Sequence, residues 1–262
     1  MSGLMSEVTP YPEANQMLTL LQERILAILG PRLVGLYLYG SLVWGDCDLG
    51  VSDIDLLAVT AGALTQPELD ALRQLHAQLA AAYPLWDDHI EVAYVSTTAL
   101  KTFRTEASQF ANISPGEPFH VLDVSRHWLL NWYVVQERGL ALYGRPPRAV
   151  IDHIAVAEYQ AVVRDHLAGW GEWVEEMQTR KQQAYTILTL CRAMAALETG
   201  EQLSKRQAAL WAAQQAPEWA DTILTALDWR TGDEETGALA AASMARTVDF
   251  VAYVREREGI IA

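Results

Sequence analysis

Asp53 and Asp55 stand two residues apart in the run Ser52-Asp53-Ile54-Asp55-Leu56-Leu57-Ala58-Val59. Along a β-strand, residues i and i+2 point to the same side, so the two carboxylates converge while Ile54, Leu56 and Val59 supply buried positions. Adjacent carboxylates repel unless a cation lies between them, and Mg²⁺ takes oxygen ligands together with nucleotide phosphates. Upstream, Gly40 permits close approach of the backbone, and the Ser41 hydroxyl can bond a phosphate oxygen or cap the short helix that follows. Downstream, Glu91 is an acid in the apolar run Ile90-Glu91-Val92-Ala93-Tyr94-Val95. Burying an unpaired carboxylate is costly, so Glu91 is expected to face the same site or a cation. The combination suits an enzyme that holds divalent metal on a nucleoside triphosphate. Ser-Asp-Ile-Asp alone fits a turn with a capping acid equally well. The full pattern is far more specific: Gly-Ser after an apolar strand, eleven residues, Asp-apolar-Asp on a second strand, and an acid on a third.

The elements that must position these residues are legible in the periodicity. Met17, Leu18, Leu21, Ile25 and Leu29 recur at helical spacing within Glu13 to Leu29, and Gly30-Pro31 stops the pattern. Leu33 to Tyr39, Ile54 to Val59 and Ile90 to Val95 read as strands. Between the first two, Leu42 to Trp44 reads as a turn of helix and Asp46 to Ser52 as a polar loop. Pro67 to Tyr83 is an amphipathic helix capped by Thr65 with Glu68 three residues on. Residues 96–120 read as loops and short helical pieces, and Ser125 to Glu137 as helix. Leu142-Tyr143-Gly144-Arg145-Pro146-Pro147 is the strongest boundary signal. Beyond it the pattern is helical, over about 152–178, 182–198, 204–215, 217–228 and 235–257. The expected fold is α/β: a mixed sheet flanked by helices in domain 1–147, then an all-α bundle in domain 148–262.

Bulk properties narrow the partners. A chain of 262 residues, 51% hydrophobic and 20% charged, can bury a sizeable core. Its net charge of −14 argues against a nucleic-acid substrate, whose binding rests on Lys and Arg. It favours a small cationic partner, or nothing in particular. Cys47 and Cys191 are too few for a disulfide framework and lack metal-ligand spacing. With no export signal and no spanning apolar run, a cytoplasmic protein without membrane contact is expected, and a monomer.

The Gly-Ser, Asp-x-Asp and strand-borne acid arrangement resembles the nucleotidyltransferase superfamily of DNA polymerase beta and the kanamycin nucleotidyltransferases. The later segment Tyr185-Thr186-Ile187-Leu188-Thr189-Leu190-Cys191-Arg192, continuing to Thr199-Gly200-Glu201-Gln202-Leu203-Ser204-Lys205, is similar to the aminoglycoside (3'')(9) adenylyltransferases, the streptomycin and spectinomycin resistance enzymes. The resemblance runs over nearly the whole chain. It implies that Gly40, Ser41 and Ser52 hold the triphosphate of ATP. Asp53 and Asp55, with Glu91 completing the site, bind Mg²⁺, two ions clamping the attacking and leaving oxygens at the α-phosphorus. Glu91 is the implied general base, and Arg192 and Lys205 the cations that reach the ATP phosphates. Physical reasoning agrees in part. Arg192 interrupts an apolar helix face, and Ser204 with Gln207 reads as a capping box that leaves Lys205 in a first helical turn. A buried Arg–carboxylate pair and a solvated Lys would explain the two residues as well.

The resemblance implies an acceptor of aminoglycoside type, spectinomycin foremost and streptomycin second, with pyrophosphate released. Trp170, Trp173 and Met177 share a helix face, with Glu172, Glu175 and Glu176 beside them; Trp128 and Trp132 mark another. Aromatic walls with acids suit a polycationic, sugar-like ligand, although such a stripe reads first as core and such an acid run as a solvated face. The candidate acceptor contacts are Glu91, Trp128, Trp173, Glu176, Gln182 and Tyr185. His89 lies just before the Glu91 strand and reads as a surface-turn residue that could influence the base. His76 and His166 read as structural. Two rival readings stay open: the same fold acting on a protein or another small hydroxylated metabolite, and a non-catalytic nucleotide-binding module.

Overall fold

The computed structural model describes residues 8–260, apart from the side chains of Glu172 and Glu175. The chain forms two compact units, one reaching to His153 and the other beginning at Ile154.

In the first unit, helix α1 (Pro12–Leu29) buries Met17, Leu18, Leu21, Ile25 and Leu29, the stripe its spacing predicts. Strands β1 (Leu33–Tyr39), β2 (Ile54–Thr60) and β3 (Ile90–Ser96) follow, separated by α2 (Ser41–Trp44) and α3 (Gln66–Ala82). At the start of α3, Glu68 accepts hydrogen bonds from both the backbone N–H and the hydroxyl of Thr65, at 2.7 Å each. Then come α4 (Thr97–Thr102), β4 (Gln109–Ser114), β5 (Glu117–Asp123), α5 (Leu129–Arg138) and β6 (Leu140–Gly144). The sheet order is β5-β4-β3-β2-β1-β6. Only β2 and β3 run parallel; α3 makes the crossover that a parallel pair requires.

Residues 96–120, expected to be loops and short helical pieces, hold two strands besides α4. The difference has a physical cause. β5 is an edge strand with exposed Glu117, Pro118 and Asp123, and β4 pairs with β3 for only part of its length. Edge strands carry polar and breaker residues that blunt further pairing, which erases their alternating signature. β6, at the opposite edge, likewise ends at Gly144 inside the Gly/Pro cluster that had marked a boundary.

One face of the sheet packs Leu36, Leu38, Leu56, Ala58, Val92 and Tyr94 against α1 and α3. In that core His76 of α3 lies 2.8 Å from the Tyr94 hydroxyl and stacks on Phe119, with ring centroids 6.0 Å apart. Burial lowers its pKa to about 4. The other face carries Tyr37, Tyr39, Leu57, Val59, Ala93 and Val95, with α5 against β1. Both faces of β2 are therefore covered, and Val59 shares the side on which Asp55 lies.

The second unit is helical: α6 (Val156–Trp173), α7 (Arg180–Thr199), α8 (Lys205–Gln215), α9 (Ala220–Thr231) and α10 (Gly237–Arg257). α7 is its axis, packed against the other four and buried over most of its length. The buried Gln183 donates to the Ala240 carbonyl at 2.9 Å and accepts from Ser243 and Thr247. α7 ends at Gly200, in the left-handed conformation that favours glycine. Cys47 lies partly buried in the first unit and Cys191 fully buried in α7, both as thiols. Among the described residues no helix is long and apolar enough to cross a membrane.

Candidate active site

Register across three strands assembles the acids. Tyr39 pairs with Asp55 in the antiparallel β1–β2 ladder, and Asp55 pairs with Glu91 in the parallel β2–β3 ladder. The three form a row at one end of the sheet, on the face away from α1 and α3. The Tyr39 hydroxyl donates to Glu91 Oε1 at 3.2 Å. Burial first, and then the Glu91 and Asp55 carboxylates, push the Tyr39 pKa well above the ordinary tyrosine value. Tyr39 is thus a fixed hydrogen-bond donor that steadies Glu91.

Gly40 follows directly, with φ 74°, a conformation that L side chains rarely adopt. A Cβ at this position would also collide with the Asp55 carboxylate. Glycine is therefore required twice, by the turn and by the acid packed on it. The Gly40 carbonyl accepts from Val43 N–H at 3.1 Å, opening the single turn α2. The Ser41 hydroxyl is buried without a hydrogen-bond partner. Such a group is costly unless a ligand completes it.

Asp53 lies one residue before β2 and is partly buried, with Oδ1 2.9 Å from His89 Nδ1. Ser52, expected to bind nucleotide, also ties its own loop: its hydroxyl accepts from Asp48 N–H at 3.0 Å, and its N–H donates to the Asp48 carbonyl at 2.8 Å. Asp55 and Glu91 thus stand side by side with Asp55 packed on Gly40, Ser41 follows in the turn, and Asp53 precedes them on His89, with Ser52 bracing the loop.

In the helical unit, Trp173, Thr179, Lys181, Gln182, Tyr185 and Glu234 line an open cleft of about 470 Å³. Trp173 and Tyr185 are each 48% exposed, and their rings, 6.3 Å apart, lean on the buried Trp170. The aromatic stripe therefore divides: Trp170 and Met177 are core, and Trp173 is a wall. Gln182 borders the cleft but is committed to the α7 cap, accepting from Gln178 N–H at 2.7 Å and Thr179 N–H at 3.1 Å. Glu176 is exposed and does not line the cleft. The Glu172 and Glu175 side chains lie outside the described residues. Trp128 belongs to the first unit, stacked with Trp132 and edge-on to Phe110. His166 is exposed, with its ring edge-on to Trp170.

Ser204 caps α8 as expected, accepting from Gln207 N–H at 3.1 Å, which sets Lys205 in the first turn. Lys205 Nζ stands 4.9 Å from the centre of the Tyr185 ring. Arg192 is partly buried and engaged by Gln202, whose amide bridges it to the Tyr159 hydroxyl; the orientation satisfying both has the amide oxygen accepting from Arg192 Nε at 3.0 Å.

Residues 149–257 match the family model for the aminoglycoside adenylyltransferase C-terminal domain. That stretch takes in nearly all of the helical unit. Among curated protein sequences none matches the chain. Among solved structures, the chain is similar to spectinomycin adenyltransferase AAD(9) from Enterococcus faecialis, crystallised with ATP and spectinomycin. The TM-score is 0.71 at 18% identity, over 90% of this chain and 99% of that chain. At that identity the likeness is one of fold, and it takes in both units.

The donor set of the sheet unit can be tested against a divalent cation. Among the described residues no three His, Cys, Asp or Glu side chains are gathered closely enough to cage a metal. Asp53 is turned toward His89 and Glu91 toward Tyr39. Mg²⁺, however, is commonly held by one or two carboxylates plus substrate phosphates rather than by an all-protein cage. Asp55 and Glu91 face one another as direct cross-strand neighbours, an unfavourable pairing of like charges that a cation relieves. The all-oxygen donors fit a hard cation that arrives with its nucleotide. Sequence spacing did not reveal Tyr39 as a partner of Glu91, and it set His89 beside the Glu91 strand rather than on Asp53. The one available signal was position, each polar ring lying beside a residue already singled out.

Proposed function

We propose that the protein is an ATP-dependent adenylyltransferase that transfers AMP to a hydroxyl of an aminoglycoside-type antibiotic, with spectinomycin the first acceptor to test and streptomycin the second. The observation that carries this reading is the in-register row of Tyr39, Asp55 and Glu91 against the left-handed Gly40 turn. The family of the helical unit and the fold shared with an ATP- and spectinomycin-bound enzyme support it.

In this reading Gly40 lets the triphosphate approach the backbone, and the unpartnered Ser41 hydroxyl bonds a phosphate oxygen. Glu91, steadied by Tyr39, takes the proton from the attacking hydroxyl. Asp53 and Asp55 hold Mg²⁺, with Glu91 as a third donor, and the ion supplies charge neutralisation at the phosphoryl oxygens. We assign phosphate binding also to Arg192 and Lys205, each oriented by its own partner, Gln202 and the Tyr185 ring. The acceptor cleft is that walled by Trp173 and Tyr185, where aromatic faces and the Glu234 carboxylate suit a cationic sugar.

The experiment is magnesium-dependent pyrophosphate release from ATP across a panel of aminoglycoside-type acceptors. Release on adding spectinomycin is expected. Silence across the panel, with AMP instead attached to protein from a cell lysate, would establish the rival protein-acceptor reading.

A further inference from the structure

His89 is built into position beside Asp53 by more than one constraint. Its Nδ1 meets Asp53 Oδ1 at 2.9 Å, and its carbonyl accepts from Ile54 N–H at 2.9 Å, at the point where β2 begins. Its own N–H donates to the Trp86 carbonyl at 3.2 Å, and Trp86 is buried. The preceding Asp88 has φ 59°, the one non-glycine residue among those described with positive φ. Its side chain is clamped there, Oδ1 accepting from Gly116 N–H in the β4–β5 turn at 2.6 Å. A strained backbone of this kind persists only where its surroundings enforce it. Here the enforced conformation delivers an imidazole to Asp53, the carboxylate two residues before Asp55 of the candidate catalytic row.

We infer that His89 is a positioning residue: it donates its Nδ1–H to Asp53 and fixes that carboxylate in the orientation that receives the nucleotide-borne divalent cation. The inference rests on the proposed function above, because it needs Asp53 to be a metal ligand. An ionised carboxylate can only accept, so the proton in this bond is on Nδ1. With Oδ1 held, the carboxylate no longer turns freely about its Cβ–Cγ bond, and Oδ2 keeps one direction. Partners that orient metal ligands in this way are commonly worth about 10–100-fold in metal affinity. The tethers of residue 89 to Ile54 and Trp86 are backbone bonds, so replacing the ring removes the Asp53 contact while leaving the strand start in place.

The test needs no turnover. Mn²⁺ binding to the full chain with a non-hydrolysable ATP analogue is read from the loss of the free-ion paramagnetic resonance signal beyond that caused by the analogue alone. His89→Ala is expected to weaken Mn²⁺ binding about 10–100-fold. His89→Phe, which keeps the ring volume without a donor, should match it and decides the matter if the alanine variant does not fold. His89→Asn sets an amide N–H close to the place of Nδ1 and should bind within a few-fold of the wild type. Wild-type affinity in both the alanine and phenylalanine variants would overturn the inference. So would an asparagine variant as weak as phenylalanine at unchanged thermal midpoint. If the wild-type protein takes up no Mn²⁺ with the analogue, the reading of the acids as a metal site fails, and the role of His89 fails with it.

Discussion

Glu91 sits where two demands meet: it must accept a proton from a hydroxyl, and it must be kept in place before that hydroxyl arrives. The Tyr39 hydrogen bond supplies the second, and it survives replacement of the carboxylate by an amide, whose oxygen also accepts. Glu91→Gln is therefore expected to lower kcat by about 10²–10⁴-fold, the range for loss of a general base, with a thermal melt no lower than that of the wild type. Pyrophosphate release under saturating substrates measures the first and circular dichroism the second; activity within tenfold of wild type would remove Glu91 from the role of base. Residue types and spacing alone picked out Gly40, Ser41, Asp53, Asp55 and Glu91, because each is chemically conspicuous in an apolar strand or a tight turn. The resemblance added Ser52 and Gln182, whose side-chain oxygens also accept from their own backbone, one bracing a loop and one closing a helix cap. A small polar side chain near a turn has the same sequence signature in either employment.

Among the elements, those that bury a periodic face were legible: α1, α3, the three central strands and the five helices of the second unit all follow their spacing. β4, β5 and β6 were not. Their existence depends on partners distant in sequence, and as outer strands of the sheet they carry little of the alternation that a half-buried strand shows. The core between α3 and β3 has a pH dependence of its own. His76 is held at a pKa of about 4, against about 6.5 in an unfolded chain. As pH falls through 6.5 the unfolded chain takes up a proton that the folded one refuses, so stability declines until about pH 4 and then levels. The slope contributed by this one site reaches about 1.4 kcal/mol per pH unit. Urea unfolding of the wild type and His76→Leu between pH 4 and 7 isolates it, the difference between the two expected to shrink as pH is lowered. Parallel curves would show that His76 takes up its proton at the same pH in the folded and the unfolded chain.

At the scale of the molecule the division into a sheet unit and a helical bundle was visible as a change of period, from alternating strands to a run of helices. It was visible because each unit buries its own core and so writes its own pattern. What no pattern announced is how the thiols fall between them: Cys47 in the sheet unit, partly open to solvent, and Cys191 at the packed axis of the bundle, where burial raises its pKa and leaves it inert. Each unit therefore carries its own clock. A thiol-reactive dye should take one equivalent from the native protein quickly and the second only as fast as α7 is uncovered. In a urea series the second rate then reports the opening of the bundle alone, while the His76 titration follows the sheet unit. Two fast equivalents in the native state would mean that the bundle breathes far more than its packing implies. A single slow second equivalent would make this chain a protein whose two halves can be timed separately without adding any label site.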